Sequence, residues 1–187
     1  MKTLSTKLSE FHQLKDAELD AFLSRCKKRE LKKGEHLLMQ GDVCKNIYFL
    51  DKGIIRGYYY LEDKEVSSWF GFEEYFVTSF YSYISAKPSM ENLQAIEDSV
   101  LWSLSKQAIE ELFDQFPTIE RMVRKAYETY YIRLENRYVN AQFKSAAERY
   151  QELMETSPQI LQRVPLGYVA SYLGISQETL SRIRKTV

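Results

Sequence analysis

The chain of 187 residues is poor in the side chains that most chemistry needs. It has two histidines, His12 and His36, and two cysteines, Cys26 and Cys44. Two thiols cannot hold an iron–sulfur cluster, and their spacing fits no zinc-ligand pattern. The cysteines read as reduced and structural, haem is disfavoured, and no cofactor is identified. There is no Gly-rich phosphate loop, no Cys/His nucleophile setting and no ligand-spaced carboxylate cluster, so the sequence does not read as an enzyme. Glu73 and Glu74 are adjacent carboxylates, but neighbours on a strand point to opposite faces. Net charge is missing as well, because 26 basic residues balance 26 acidic ones. No global field then draws the protein to nucleic acid, and any such binding needs a local patch. No apolar run approaches a membrane span, and MKTLSTKLSEFHQL lacks the apolar centre of a signal peptide. The expectation is a cytoplasmic protein with no membrane partner.

What the chain does have is aromatic side chains, 14 Tyr and 10 Phe among them. Residues 1–30 read as helical, with Phe11, Leu14, Leu19, Phe22 and Leu23 at helical spacings and a cap near Lys15-Asp16. From Leu31 the texture changes. Gly34, Gly41, Gly53, Gly57 and Gly71 punctuate short runs of Ile, Leu, Tyr and Phe, which reads as short strands and tight turns. LEDKEV is a polar turn between strands, and Leu93–Ile96 and Val100–Leu104 are two further strands. Ser105 is placed to cap a helix over KQAIEELFDQF.

Residues 118–143 contain neither Gly nor Pro, enough for a helix of about 39 Å. Val123, Tyr127, Tyr130, Leu134, Arg137 and Ala141 alternate at four and three, close to a heptad seam. The seam fits packing on the protein's own β-unit or a helix pair in a homodimer. The dimer contacts are expected from Val123, Tyr127, Tyr130, Leu134 and Ala141. One more helix and a loop at Ser157-Pro158 follow.

The last segment, GYVASYLGISQETLSRIRK, reads as a helix–turn–helix, two short helices at a steep angle about a tight turn. In a frame from Leu166 to Lys185, Val169, Leu173, Ile175, Leu180 and Ile183 fall on inward positions. Ala170 stands where the helices come closest, and Gly174 where the turn needs a left-handed residue. Ser176 can cap the second helix. Ser176, Gln177, Glu178, Thr179, Ser181, Arg182 and Lys185 are the candidate DNA-binding residues. Gln pairs with adenine, Arg with guanine, and Glu accepts from cytosine in the major groove. Arg163, Arg182, Arg184 and Lys185 against Glu178 give residues 160–187 a net charge of +3.

A glycine-studded β-unit, a long helix and a terminal helix–turn–helix, in that order, resemble the Crp/Fnr family of bacterial transcription regulators. LKKGEHLLMQGDVCKNIYFLDKGIIRGYYY is similar to that family's β-roll, and VASYLGISQETLSRIRK to its DNA-reading motif. In the recognition helix the family commonly has an Arg-Glu pair and a second Arg one turn on. Glu178 and Arg182 match, and Gln177 replaces the first Arg. The resemblance implies an α+β fold with a jelly-roll-like N-terminal β-roll sensor domain (1–117), a dimerisation helix (118–143) and a helix-turn-helix domain (144–187). The chain stops where the family often adds a β-wing, so the helix-turn-helix is expected to lack a full wing.

The implied function is a homodimeric transcription regulator on a palindromic double-stranded operator, with RNA polymerase as a further partner. The alternative is a ligand-binding module that acts on a protein partner. Cyclic-nucleotide-binding members carry Gly-Glu and Pro-Arg-x-Ala in a phosphate cassette. Here Gly71 precedes Phe72 and Pro88 precedes Ser89, so cyclic AMP is not expected in the usual mode. The aromatic run from Trp69 to Tyr83 reads as core and dimer contacts, or as the wall of an effector pocket. For that pocket the expected residues are Phe70, Phe72, Tyr81, Lys87, Ser89, Tyr127 and Tyr130, around an unknown small molecule.

Overall fold

The computed structural model describes residues 1–186; Val187, on which the expectation of a missing wing rests, lies outside them. Helices α1 (Lys2–Phe11) and α2 (Asp16–Ser24) lead into β1 (Lys27–Leu31), β2 (His36–Leu38), β3 (Asn46–Lys52), β4 (Ile55–Leu61), β5 (Lys64–Gly71) and β6 (Phe76–Val77). A short helix α3 (Phe80–Ser85) precedes β7 (Asn92–Ala95) and β8 (Ser99–Ser105). Then come α4 (Lys106–Gln115), α5 (Pro117–Phe143), α6 (Ala146–Thr156), α7 (Pro158–Arg163), α8 (Leu166–Tyr172) and α9 (Gln177–Thr186).

The strands form two four-stranded antiparallel sheets, ordered β1-β8-β3-β6 and β2-β7-β4-β5. Their inner faces enclose a core that includes Leu50, Ile55, Leu93 and Leu101, all wholly buried. Packing two such faces is how antiparallel sheets bury their apolar sides. The LEDKEV turn is a hairpin tip, with Glu62 and Asp63 both left-handed (φ 48° and 63°). Two left-handed central residues make the turn whose twist suits a two-residue hairpin. The result is a mixed α/β chain with a sandwich of sheets first and helices last, as the fold class required.

Two local expectations change. Residues 1–30 are not one helical unit. The chain extends at His12 (φ −165°), and α2 restarts where the Glu18 carboxylate accepts the Lys15 N–H at 2.8 Å. Past Ser24, KKREL is strand β1, paired from Lys27↔Ser103 to Leu31↔Ser99. Four of its five residues are exposed, as on charged edge strands, so no apolar period marks it. The second change is at Pro158, which opens α7 and does not sit in a loop. A first-turn proline loses no hydrogen bond, and its φ already suits the helix. Ser105 caps α4 as expected, its Oγ accepting the Ala108 N–H at 3.1 Å.

Candidate nucleic-acid interface

Helices α8 and α9 meet at Gly174, whose φ of +66° is a backbone that a Cβ would strain. Val169, Ala170, Leu173 and Leu180 are at most 2% exposed and form the joint, with Ile175 and Ile183 half-buried beside them. The Ser176 Oγ accepts the Thr179 N–H at 3.2 Å and starts α9. Gln177, Glu178, Ser181, Arg182 and Lys185 are exposed, as is Ser176, and Thr179 is half-buried. The Arg182 guanidinium reaches the Thr179 Oγ1 at 3.2 Å. Hydrogen bonding to Ser176 holds the Glu178 carboxyl below its ordinary range. The α9 ridge is thus a row of hydrogen-bonding groups on the outside of a packed pair.

Arg163 does not join that ridge. Its guanidinium grips the Glu73 carboxylate at 2.9 and 2.7 Å and also meets Glu97. The basic tip therefore rests on Arg182, Arg184 and Lys185 against Glu178, a net +2. A second arginine missed from sequence, Arg149, donates to the Lys144 carbonyl at 2.6 Å and to the Leu173 carbonyl at 2.7 Å. It thereby ties α6 to the end of α8, where carbonyls lack intrahelical partners.

The α8–α9 pair rests on the β-unit through α8. Strand β5 is a sheet edge, and its Ser67 N–H donates to the Ser171 Oγ at 2.7 Å. Phe70 packs against Tyr172 with ring centres 5.5 Å apart. Arg56, wholly buried, lies between the Tyr58 ring (4.3 Å) and the Tyr168 ring (3.7 Å). It donates to the Ser67 Oγ at 2.8 Å and to Glu65 at 2.6 Å. A charged residue inside the apolar strand GIIRGYYY was the signal that could have found it, because a buried arginine needs partners.

Helix α5 shows two sides. Val123 is buried, the Tyr130 ring stacks on Phe80 at 3.9 Å, and Tyr127 meets Phe80 edge-on at 5.8 Å. Of the five expected seam residues, these three therefore face the protein's own β-unit, and Leu134 and Ala141 are exposed. Tyr131 and Tyr138, 63% and 65% exposed, continue the open face with Leu134 and Ala141 at spacings of three and four.

The seven expected effector-pocket residues do not share one cavity. Phe70 and Phe72 are two apart on one β face and pack toward the C-terminal helices, while Trp69 turns the other way. Phe72 lies 5.9 Å under the Arg163 guanidinium. Tyr81 and Lys87 are exposed. Ser89 is buried, bonded to the Ser79 hydroxyl at 3.0 Å and to the Glu91 carbonyl at 2.8 Å. Phe70 and Tyr130 do border a common cavity of about 130 Å³ beneath α5, and Tyr127 and Tyr130 border a second of about 130 Å³.

The sequence also gave no warning of Glu91. It stands at the Ala place of Pro-Arg-x-Ala, 6% exposed, and its carboxylate accepts the Trp69 Nε1–H at 2.9 Å. Burial pushes its pKa up. The Trp69 ring lies flat over Gly57, where a Cβ would come within 2.2 Å of it.

Comparison with known proteins agrees with this architecture. Residues 28–116 match the family described as the cyclic nucleotide-binding domain. A search of curated proteins finds no match. Among solved structures, the catabolite activator protein of Thermus thermophilus is similar over 96% of this chain and 85% of its own, at 20% identity and TM-score 0.60. FixK2 from Bradyrhizobium japonicum is similar over 86% and 83%, at 18% identity and TM-score 0.73. CLP of Xanthomonas campestris, a c-di-GMP responsive global regulator, is similar over 92% and 91%, at 18% identity and TM-score 0.72. Residues 28–116 thus match a cyclic nucleotide-binding domain, in a chain that shares its fold with these three proteins.

Proposed function

We propose that the protein is a sequence-specific DNA-binding transcription regulator of the Crp/Fnr type that acts as a homodimer on a palindromic duplex operator. One observation carries the reading: α8 and the arginines around it are spent on docking, while the α9 ridge from Gln177 to Lys185 stays exposed. Arg182 and Gln177 read base edges in the major groove, and Lys185 neutralises phosphate. A two-fold pair of α5 helices, meeting along Tyr131, Leu134, Tyr138 and Ala141, sets two such ridges about 34 Å apart, one helical turn of the operator. RNA polymerase is a further partner of such a regulator.

The β-unit does not take cyclic AMP in the usual mode. A cyclic phosphate needs a cationic fork to replace its hydration. Ser89 stands where that arginine would, and the buried Glu91 carboxyl lies in the same loop.

Footprinting on genomic DNA supplies the operator, and fluorescence anisotropy measures affinity for it. Arg182→Ala weakens specific binding by about 5- to 150-fold and relaxes the preference at one base position, the loss of one bidentate base contact. Cyclic AMP leaves the wild-type affinity unchanged. Equal affinity of wild type and Arg182→Ala for every duplex removes Arg182 from base reading.

A further inference from the structure

We propose that the cavity enclosed by α1, β6 and the first half of α5 is a binding site for a small, neutral, single-ring aromatic molecule. The proposal does not depend on DNA binding. The cavity measures about 130 Å³. Engineered apolar cavities of about 150 Å³ stay dry and bind benzene. Its wall is built from Phe11, Phe22, Phe76, Phe80, Tyr127 and Tyr130, so a planar guest meets ring faces and edges on several sides. The floor, Leu8, Ile109, Met122 and Val123, is buried, whereas Glu10, Glu74 and Arg133 are exposed at the mouth.

Polarity decides what fits. Among the described residues, the buried side-chain atoms without a hydrogen-bond partner are Arg56 Nη2, Asn92 Nδ2 and Trp102 Nε1, and none of the three residues lines this cavity. No fully buried, unpartnered side-chain atom of the lining therefore asks for a polar ligand group. Burial raises the pKa of both Tyr127 and Tyr130, in keeping with apolar surroundings. The charges at the mouth cancel. Lys7 is paired with Glu10 at 2.7 Å, and Arg133 lies over the Tyr75 ring at 4.7 Å, with Glu74 beside it in the lining. An anion finds no unpaired buried cation there, and an ion of either sign would give up its hydration for a lining with no buried counter-charge. The site joins α1 to the root of α5, so an occupied cavity ties the N-terminal helix to the helix that leads to the DNA head.

The test uses the full chain with toluene as probe, and tetramethylammonium and cyclic AMP as controls. Toluene at ten times its dissociation constant raises the thermal midpoint by about 3–6 °C, and the controls do not. Ala126→Leu, which places a side chain in the cavity, abolishes that shift. Independently of any variant, nuclear Overhauser contacts run from toluene to the Phe80 and Tyr127 rings. The proposal fails if toluene gives no shift, if folded Ala126→Leu responds like wild type, or if a control gives the shift. It fails also if the contacts run to Trp69 and Leu134, which would place the ligand in the neighbouring cavity.

Discussion

Removing the Arg163 guanidinium should loosen helices α7 to α9 from the β-unit without unfolding either. Arg163 binds Glu73 through two parallel hydrogen bonds and meets Glu97 with the same fork. The first effect of that fork is on Glu73, whose carboxyl is held down at about 2 against an ordinary 4.5, with help from the Gly53 N–H. Taken at face value that shift is worth roughly 3 kcal/mol. The two side chains are 33% and 34% exposed, so solvent screening reduces it to about 1–2 kcal/mol. Arg163→Ala should lower the thermal midpoint by about 2–8 °C. Amide exchange should rise in α7, α8 and the β5 edge, while the core strands β3 and β8 keep their protection. Arg163→Lys should recover less than half of the loss, because an ammonium cannot make the paired contact.

The pH dependence of this contact has a definite sign. The folded pKa of Glu73 is depressed, so its contribution is fully present above the unfolded carboxylate range and is lost as the pH falls toward about 2. The gap between wild type and Arg163→Ala should be constant near neutrality and close in acid. Unchanged exchange in α8, or a gap that is the same at pH 7 and pH 2.5, would refute the reasoning and make the ion pair a bystander.

Two other perturbations follow from single groups. Burial raises the folded pKa of Glu91, so its ionisation opposes folding as the pH rises. Glu91→Gln keeps an acceptor for the Trp69 Nε1–H and should raise the thermal midpoint at pH 7 and leave it unchanged in acid, below the unfolded carboxylate pKa; a lower midpoint at pH 7 would contradict this. On α5, Leu134→Asp with Tyr138→Asp should halve the mass seen by analytical ultracentrifugation and weaken binding to a palindromic duplex at least tenfold. A dimer of full mass in that variant would move the seam elsewhere.

How much of this was legible in the sequence depends on how local each cause is. The α8–α9 joint was readable because all its determinants lie within twenty residues: Ala170 and Gly174 at the close approach, Leu180 inside, Ser176 at the cap. Ser105 and the Glu62-Asp63 turn are local in the same sense. Strand β1 was not readable, since its exposed residues carry no apolar period and its strand character comes from pairing with β8. Arg163 was counted into the basic tip because its partners, Glu73 and Glu97, lie 90 and 66 residues away in sequence. Period-two alternation put Phe70 and Phe72 on one face, but it could not say that this face meets α8 and the Arg163 fork.

The long helix makes the same point about geometry. Its sequence offers two adjacent stripes, one through Tyr127, Tyr130, Leu134 and Arg137, the other through Tyr131, Leu134, Tyr138 and Ala141. They share Leu134 and are offset by four residues, which on an α-helix is a rotation of about 40°. Heptad spacing alone cannot choose between them, because both alternate at three and four. Phe80 chooses: by its contacts with Tyr127 and Tyr130 it commits those two rings to the β-unit and leaves Tyr131 and Tyr138 exposed. The face on which the dimer is proposed is therefore set by a phenylalanine of α3, fifty residues before Tyr130 in the chain.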